Sequence, residues 1–288
     1  MGKLVVRSYA KINIALNVTG LREDGYHELD MVMLPLKLHD SILISELKGK
    51  KDNFVTTDDY STIIDTHSNI ATKAINILVK EYPCLEDIKF NILIHKTIPM
   101  QAGMGGGSSN AAATLHGINR FCKLGLSNER ILELSKPLGS DVPFFVENIP
   151  ARCKGKGEIM EPIKVKNNYL VLIVKPEGGC STKQIYKEFD KAPHFNACNV
   201  DNVVKALEEG DDELLAESIG NSLQSAAIKI VPEIQTIINK LKSEGLKIVM
   251  MTGSGSAVFA MSTDSKLIKK VARKYEDDYL VEVTGVLK

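Results

Sequence analysis

With 288 residues and 44% apolar side chains, the chain has material for a large buried core and is long enough to divide into two domains. Lysine plus arginine and aspartate plus glutamate both number 36, so no net field draws it to nucleic acid or an anionic membrane, and an anionic ligand has to be held by a local site. Cys84, Cys122, Cys153, Cys180 and Cys198 are odd in number and form no Cys-x-x-Cys pair, which argues for reduced thiols rather than a disulfide frame or a zinc site. The amino-terminal stretch carries charge and no small-residue cleavage site, and no apolar run reaches membrane-spanning length, so the expected compartment is the cytoplasm.

Residues 11–18 alternate, with Ile12, Ile14, Leu16 and Val18 on one face and Lys11, Asn13, Ala15 and Asn17 on the other. That is the pattern of a half-buried strand, and it points Lys11 and Asn13 the same way. Asp24-Gly25 marks a turn, and 31–38 and 41–47 read as two strands ahead of a polar loop over 48–53. A helix is expected over 69–81 and a strand over 88–95, which delivers the chain to a glycine-rich segment and a helix over 109–121. Another helix starts near Ser127. Gly139 ends it, and Pro143 is expected to push Val142 into an extended conformation and leave Asp141 in a loop.

In the second half, 169–174 reads as a strand and 201–208 and 211–220 as helical stretches. Pro232 suits the first turn of a helix whose stripe is Ile234, Ile237, Ile238 and Leu241, and Gly245 stops it. Strands over 246–251 and 258–261, a helix over 266–275 and a last strand over 279–283 complete an α+β pattern with helices on one face of a sheet. Charge and glycine interrupt the apolar pattern between 148 and 168, so the expected domains are 1–155 and 156–288.

The segment Pro99-Met100-Gln101-Ala102-Gly103-Met104-Gly105-Gly106-Gly107-Ser108-Ser109 and the alanines after it carry the strongest chemical signal. Glycines without Cβ atoms take positive φ and let a polyphosphate approach the backbone amides, while Ser108 or Ser109 is expected to cap a helix whose dipole attracts anions. No Gly-Lys-Ser/Thr follows, and Ser108 stands where the dinucleotide fingerprint needs a third glycine, so neither of those motifs applies. A kinase also needs a cation at the transferring phosphoryl group and a group that orients or deprotonates the acceptor. Lys11 and Asp141 are the candidates. On local sequence alone Lys11 also reads as an exposed strand lysine, and Asp141 as a turn or capping carboxylate. On local sequence alone Tyr26-His27 reads as a packed hairpin corner. On local sequence alone Gly253-Ser254-Gly255 reads as a tight turn.

Ala10-Lys11-Ile12-Asn13, the 99–113 segment, 138–143 and Thr252-Gly253-Ser254-Gly255-Ser256 occur in the order of the GHMP small-molecule kinases, which the whole chain resembles. The resemblance implies an amino-terminal domain of ribosomal-protein-S5-like fold and a ferredoxin-like carboxy-terminal domain, with ATP and the alcohol substrate meeting in the cleft between them. It implies catalytic places for Lys11 and Asp141, an ATP-phosphate loop over 99–109, and Asn69 and Lys96 near the adenosine. Within the family, the run 20–29, Gly-Leu-Arg-Glu-Asp-Gly-Tyr-His-Glu-Leu, resembles members acting on a cytidine diphosphate conjugate of methylerythritol. Tyr26, His27 and Tyr186 are then expected at the cytosine, and Asn13, Gly253, Ser254 and Gly255 at the rest of that substrate. Mg²⁺ is implied with ATP, helped by Ser108 or Ser109, with no dedicated metal cage in the sequence. The alternatives are a mevalonate- or homoserine-type kinase, or a silent nucleotide-binding regulator on the same fold. The basic run from Arg152 to Lys156 receives no catalytic role.

Overall fold

A computed structural model of the chain describes residues 2–49, 52–58, 69–193, 195 and 197–288. Lys50 and Lys51 of the expected polar loop lie outside the described residues. In chain order, β1 (Lys3–Leu21), β2 (His27–Glu46) and β3 (Phe54–Thr57) precede α1 (Ile70–Glu81), β4 (Phe90–His95) and α2 (Gly106–Cys122). Then come α3 (Asn128–Ser135), α4 (Val142–Glu147), β5 (Ala151–Gly155), β6 (Ile159–Pro162) and β7 (Leu170–Lys175). The chain continues through α5 (Thr182–Phe189), α6 (Val200–Glu209), α7 (Asp212–Ser218), β8 (Gly220–Asn221), α8 (Gln224–Ile230) and α9 (Glu233–Ser243), and ends with β9 (Ile248–Met251), β10 (Val258–Ser262), α10 (Ser265–Tyr275) and β11 (Leu280–Gly285). The architecture is α+β, as the sequence pattern predicts. Among the described residues no helix is long and apolar enough to cross a membrane.

Two compact units interleave along the chain. The first holds the residues up to Ala10, Leu38–Ile98 and Gly105–Asn148; the second holds Lys11–Lys37, Pro99–Met104 and Ile149–Lys288. The expected split at 155/156 follows chain order, whereas β1 and β2 each pass from one unit into the other.

In the first unit β3 runs parallel to β4, and β4 pairs antiparallel with β2 from Ser41↔His95 to Glu46↔Phe90. Alternation sends Ile42, Ile44, Phe90, Ile92 and Ile94 into the core. Above them, α2 buries Ala111, Ala112, Leu115 and Ile118, and it packs so closely that a Cβ at Gly117 would meet the Ile44 side chain at 2.2 Å.

The second unit pairs β5 with the first part of β2, Leu29↔Gly155 to Met33↔Ala151, and β6 with β5. Two-residue β8 lies parallel to β1 at Ala15↔Gly220 and Leu16↔Asn221. An antiparallel sheet in the order β11-β7-β10-β9 is packed by α9 and α10.

Three local expectations are corrected. From Ala10 to Val18 both faces of β1 are buried, because the polar face is covered too: Thr252 and Met31 bond Asn13, and the Cys198 backbone bonds Asn17. The serines do not cap α2. Its N-cap is Gly105 at φ 71°, and Ser108 and Ser109 already lie within the first turn. Finally, Val142 is helical and Asp141 stands at the N-cap of six-residue α4, because proline in a first helical turn removes only an amide that has no intrahelical partner.

Candidate active site

Lys11 leaves the middle of β1 with 4% of its surface exposed, so its ammonium requires polar partners in place of water. Its Nζ donates to Asn13 Oδ1 at 2.5 Å and to the Gly103 carbonyl at 2.9 Å, and its backbone amide donates to Met104 O at 3.1 Å. Alternation along the strand brings Lys11 and Asn13 to one face, and the Asn13 amide donates to Thr252 Oγ1 at 2.9 Å. Gly103 has φ 72°, and a Cβ there would come within 2.2 Å of Thr252 O. Gly253 has φ 55°, and its Cβ would fall 2.6 Å from Gly103 O and 3.2 Å from the Lys11 ammonium. Two glycines thus let two backbone segments meet around one lysine.

The same segments are laced by main chain. Ser256 N donates to Gln101 O at 3.2 Å and Ala257 N to Ala102 O at 3.4 Å. Ser256 Oγ donates to Gly178 O, Asn221 Nδ2 donates to Gly253 O at 2.8 Å, and the hydroxyls of Ser254 and Thr182 lie 3.0 Å apart. Gly255 is held by its amide's bond to Thr252 O. Pro99 and Met100 lead into this lattice, with Ala102 and Met104 buried and Met100 exposed.

In the first unit, the start of α2 rests on a buried polar network. Asp40 is fully buried in β2, where its Oδ1 accepts the Thr97 and Ile98 amides at 2.8 Å each. Its Oδ2 accepts from Asn110 at 2.9 Å and pairs with Lys96. Asn110 also donates to Ser8 Oγ, and Ser8 donates to Ser109 Oγ, each at 2.8 Å. Asp40 therefore ties the strand leaving β4 to the second turn of α2, on either side of the glycine segment. Lys96 lies under that helix start, since a Cβ on Gly106 would be 3.3 Å from its Nζ. Gly105, Gly106, Gly107 and Ser108 remain partly or fully exposed, while Ser109 is committed to Ser8.

Asp40 escaped the sequence reading, yet it carried a signal. Leu34, Leu36, Leu38, Asp40, Ile42 and Ile44 occupy one face of a strand, and a carboxylate on such a face has to be paired. Asn69, expected near the adenosine, spends its side chain as the N-cap of α1, accepting from Ala71 N at 2.9 Å. Asp141, Asn69 and Lys96 belong to the first unit. The Asp141 side chain makes no capping bond to α4.

Asn13, Tyr26, His27, Tyr186 and the 253–255 turn belong to the second unit. Asp24 Oδ1 accepts the Tyr26 amide at 3.1 Å, an Asx turn that, with the Arg22 guanidinium, holds this carboxyl below the usual range and presents Tyr26 with 58% of its surface exposed. The Lys156 ammonium lies 4.7 Å from the Tyr26 ring centroid. His27 stacks on Tyr186 at 4.6 Å, meets Phe189 edge-on at 5.8 Å, and shares Nε2 with Asp190 Oδ1 at 2.8 Å. Tyr186 thus covers His27. Helix α5, which carries Tyr186, is short and has only Ile185 and Phe189 buried, too little periodicity to read from sequence. The basic run is likewise structural in part: Arg152 makes a two-pronged ion pair with Asp30 and another with Asp201, which raise its basicity.

Among the described residues no group of three or more His, Cys, Asp or Glu side chains is arranged to hold a metal ion. Of the two serines of the segment, Ser109 is bonded to Ser8, and Ser108 is partly exposed.

Residues 69–148 match the family described as GHMP kinases N terminal domain, and 203–280 the family described as GHMP kinases C terminal. The chain is 37% identical over 259 residues to the 4-diphosphocytidyl-2-C-methyl-D-erythritol kinase of Bacillus cytotoxicus, covering 90% of this chain and 88% of that protein. It is 32% identical over 282 residues to the enzyme of that name from Macrococcus caseolyticus, covering 96% and 98%. A crystal structure of 4-(cytidine 5'-diphospho)-2C-methyl-D-erythritol kinase superposes with a TM-score of 0.81 at 25% identity, covering 99% of this chain and all of that one. Homoserine kinase from Cytophaga hutchinsonii, at 16% identity and TM-score 0.73, shares the fold.

Proposed function

Since the chain belongs to the GHMP kinase family, we propose that it transfers the γ-phosphoryl group of ATP to the 2-hydroxyl of 4-diphosphocytidyl-2-C-methyl-D-erythritol. The chain is a small-molecule phosphotransferase, and ATP is its phosphoryl donor. The observation that carries the site reading is the buried Lys11 ammonium held 2.9 Å from the carbonyl of Gly103 inside the glycine segment.

In this reading the acceptor oxygen attacks the γ-phosphorus, the bond to the ADP oxygen breaks, and the acceptor proton passes to the Asp141 carboxylate. Lys11 stabilises charge on the phosphoryl oxygens as it spreads, with Asn13 and Gly103 O fixing the ammonium so that little reorganisation accompanies the transfer. The amides at the start of α2 receive the ATP phosphates, and Asp40 and Lys96 keep that helix start in place. Mg²⁺ carried by ATP would neutralise phosphate charge, and Ser108 would be the hydroxyl to help hold it, since Ser109 is bonded to Ser8. Gly253, Ser254 and Gly255 support the acceptor end, and Tyr26 and His27 the cytosine, for which an exposed aromatic face and an imidazole are the appropriate chemistry.

An ADP-release assay across the cytidine conjugate, methylerythritol phosphate without the nucleotide, mevalonate and homoserine tests this. The conjugate should be the preferred acceptor and its truncated form should lose rate as well as affinity, because remote binding energy positions the reacting hydroxyl. Preferential use of mevalonate or homoserine overturns the substrate assignment, and no turnover with any acceptor favours a silent nucleotide binder.

A further inference from the structure

Neutral imidazole carries one N–H donor and one bare acceptor nitrogen, and its partners decide which is which. At His27 the decision falls to Asp190. A carboxylate accepts only, and Asp190 Oδ1 lies 2.8 Å from Nε2, so the proton belongs on Nε2 and Nδ1 is left as an acceptor. Nδ1 has no hydrogen bond to any described residue. The ring is also locked against rotation, by Tyr186 stacked at 4.6 Å and 26° and by Phe189 edge-on at 5.8 Å. All three restraints come from α5 and its C-cap residue.

A fixed acceptor distinguishes the two pyrimidines. Cytosine carries an exocyclic amine, a donor, at the position where uracil carries a carbonyl, an acceptor. We infer that Asp190 is a positioning residue that sets the tautomer of His27 and thereby makes the site select a cytosine conjugate over the uracil conjugate of the same alcohol. This rests on the reading that His27 meets the base.

The test compares kcat/KM for the cytidine diphosphate and uridine diphosphate conjugates of methylerythritol at about pH 8, above the ordinary imidazole range. The proteins are the unaltered chain, Asp190→Lys, Asp190→Glu and His27→Ala. Asp190 is exposed and ends a helix, where a cation is favourable, so the lysine variant should fold. A lysine donor opposite Nε2 moves the imidazole proton to Nδ1, so the cytosine preference should fall by roughly 10-fold or more. The Asp190→Glu variant keeps a carboxylate acceptor and should retain the preference. An unchanged preference in Asp190→Lys, or an equal fall on both conjugates, overturns the tautomer inference while His27→Ala still impairs the cytidine conjugate. If His27→Ala leaves that conjugate's kcat/KM intact, the base reading itself fails and the inference with it.

Discussion

Around Lys11 the second unit is held by main-chain geometry, whereas around Tyr26 and His27 it is held by side chains that reach water. Gly103 and Gly253 approach so closely that no Cβ fits at either, and amides of Ser256 and Ala257 bond the carbonyls of Gln101 and Ala102. The aromatic corner has instead an Asx turn, a histidine–carboxylate hydrogen bond, a ring stack and an ammonium over a tyrosine. The first arrangement leaves little room for sequence change and suits a reacting group whose position has to be fixed within fractions of an ångström. The second adapts, which suits discrimination among ligands. Substitutions at the first should therefore damage turnover, and substitutions at the second should change which acceptor is used.

The largest effect is expected at the two groups proposed to take part in the reaction, Asp141 and Lys11. Asp141→Asn should leave ATP binding nearly intact and lower turnover by roughly 10²–10⁴-fold. Lys11→Met removes the bonds to Gly103 O and Asn13 and should lower kcat by roughly 10²–10³-fold, with a smaller change in ATP affinity. Calorimetric titration with an ATP analogue alongside single-turnover rates separates the two quantities. A Lys11 variant that weakens only nucleotide binding makes the lysine a ground-state contact, and near-normal turnover in Asp141→Asn removes that carboxylate from the mechanism.

Next comes the buried network at the start of α2. Asp40→Ala strips Lys96, Asn110 and two amides of their acceptor together. Breaking a buried pair from one side costs about 3–5 kcal/mol, and the lower end applies here because Lys96 keeps some access to water. Denaturant titration reads this loss. A change below about 1 kcal/mol would mean that the network relaxes as freely as an exposed ion pair.

A smaller, more selective loss is expected at the corner. Tyr26→Ala should lower kcat/KM for the cytidine conjugate by roughly 5- to 150-fold, the about 1–3 kcal/mol of base stacking, and leave the melting temperature unchanged because the ring is mostly exposed. Equal losses on the conjugate and on the acceptor without a nucleotide would mean that Tyr26 supports the fold of the hairpin and not the base.

What the sequence disclosed follows the same division. The Asp24-Gly25 turn and the Lys11/Asn13 alternation are local patterns whose physics acts within a few residues, and each stands where it was expected, while the helix after the glycine segment starts three residues earlier than its serines suggest. The pairing of Asp40 with Lys96 and of Arg152 with Asp30 joins residues 56 and 122 positions apart, which no local period encodes. Helix α5 is missed because eight residues with two buried apolar side chains give no stripe, although they bring Tyr186 and Asp190 to His27. Pro143 misled for a related reason: a proline breaks a helix from its interior but fits its first turn, and a six-residue helix is too short to reveal which applies.

The smallest effect concerns Gln101, which sits at φ 50° in the segment where glycine would be at ease. Left-handed backbone costs a residue with a Cβ about 1–2 kcal/mol, and a glycine there would lose about 0.4–1 kcal/mol through its freer unfolded chain. Opposing the gain is a side-chain contact, since a Cβ on Gly179 would come within 2.2 Å of Gln101 Oε1, so the amide packs directly on that glycine. The backbone argument gives Gln101→Gly a net stabilisation of under about 1 kcal/mol, read as a rise of roughly 2 °C in melting temperature by scanning calorimetry. A fall instead would mean that the amide's contact with Gly179 outweighs the strain. The segment around Gln101 would then depend on a side chain as the aromatic corner does, and the difference between the two regions would be one of degree.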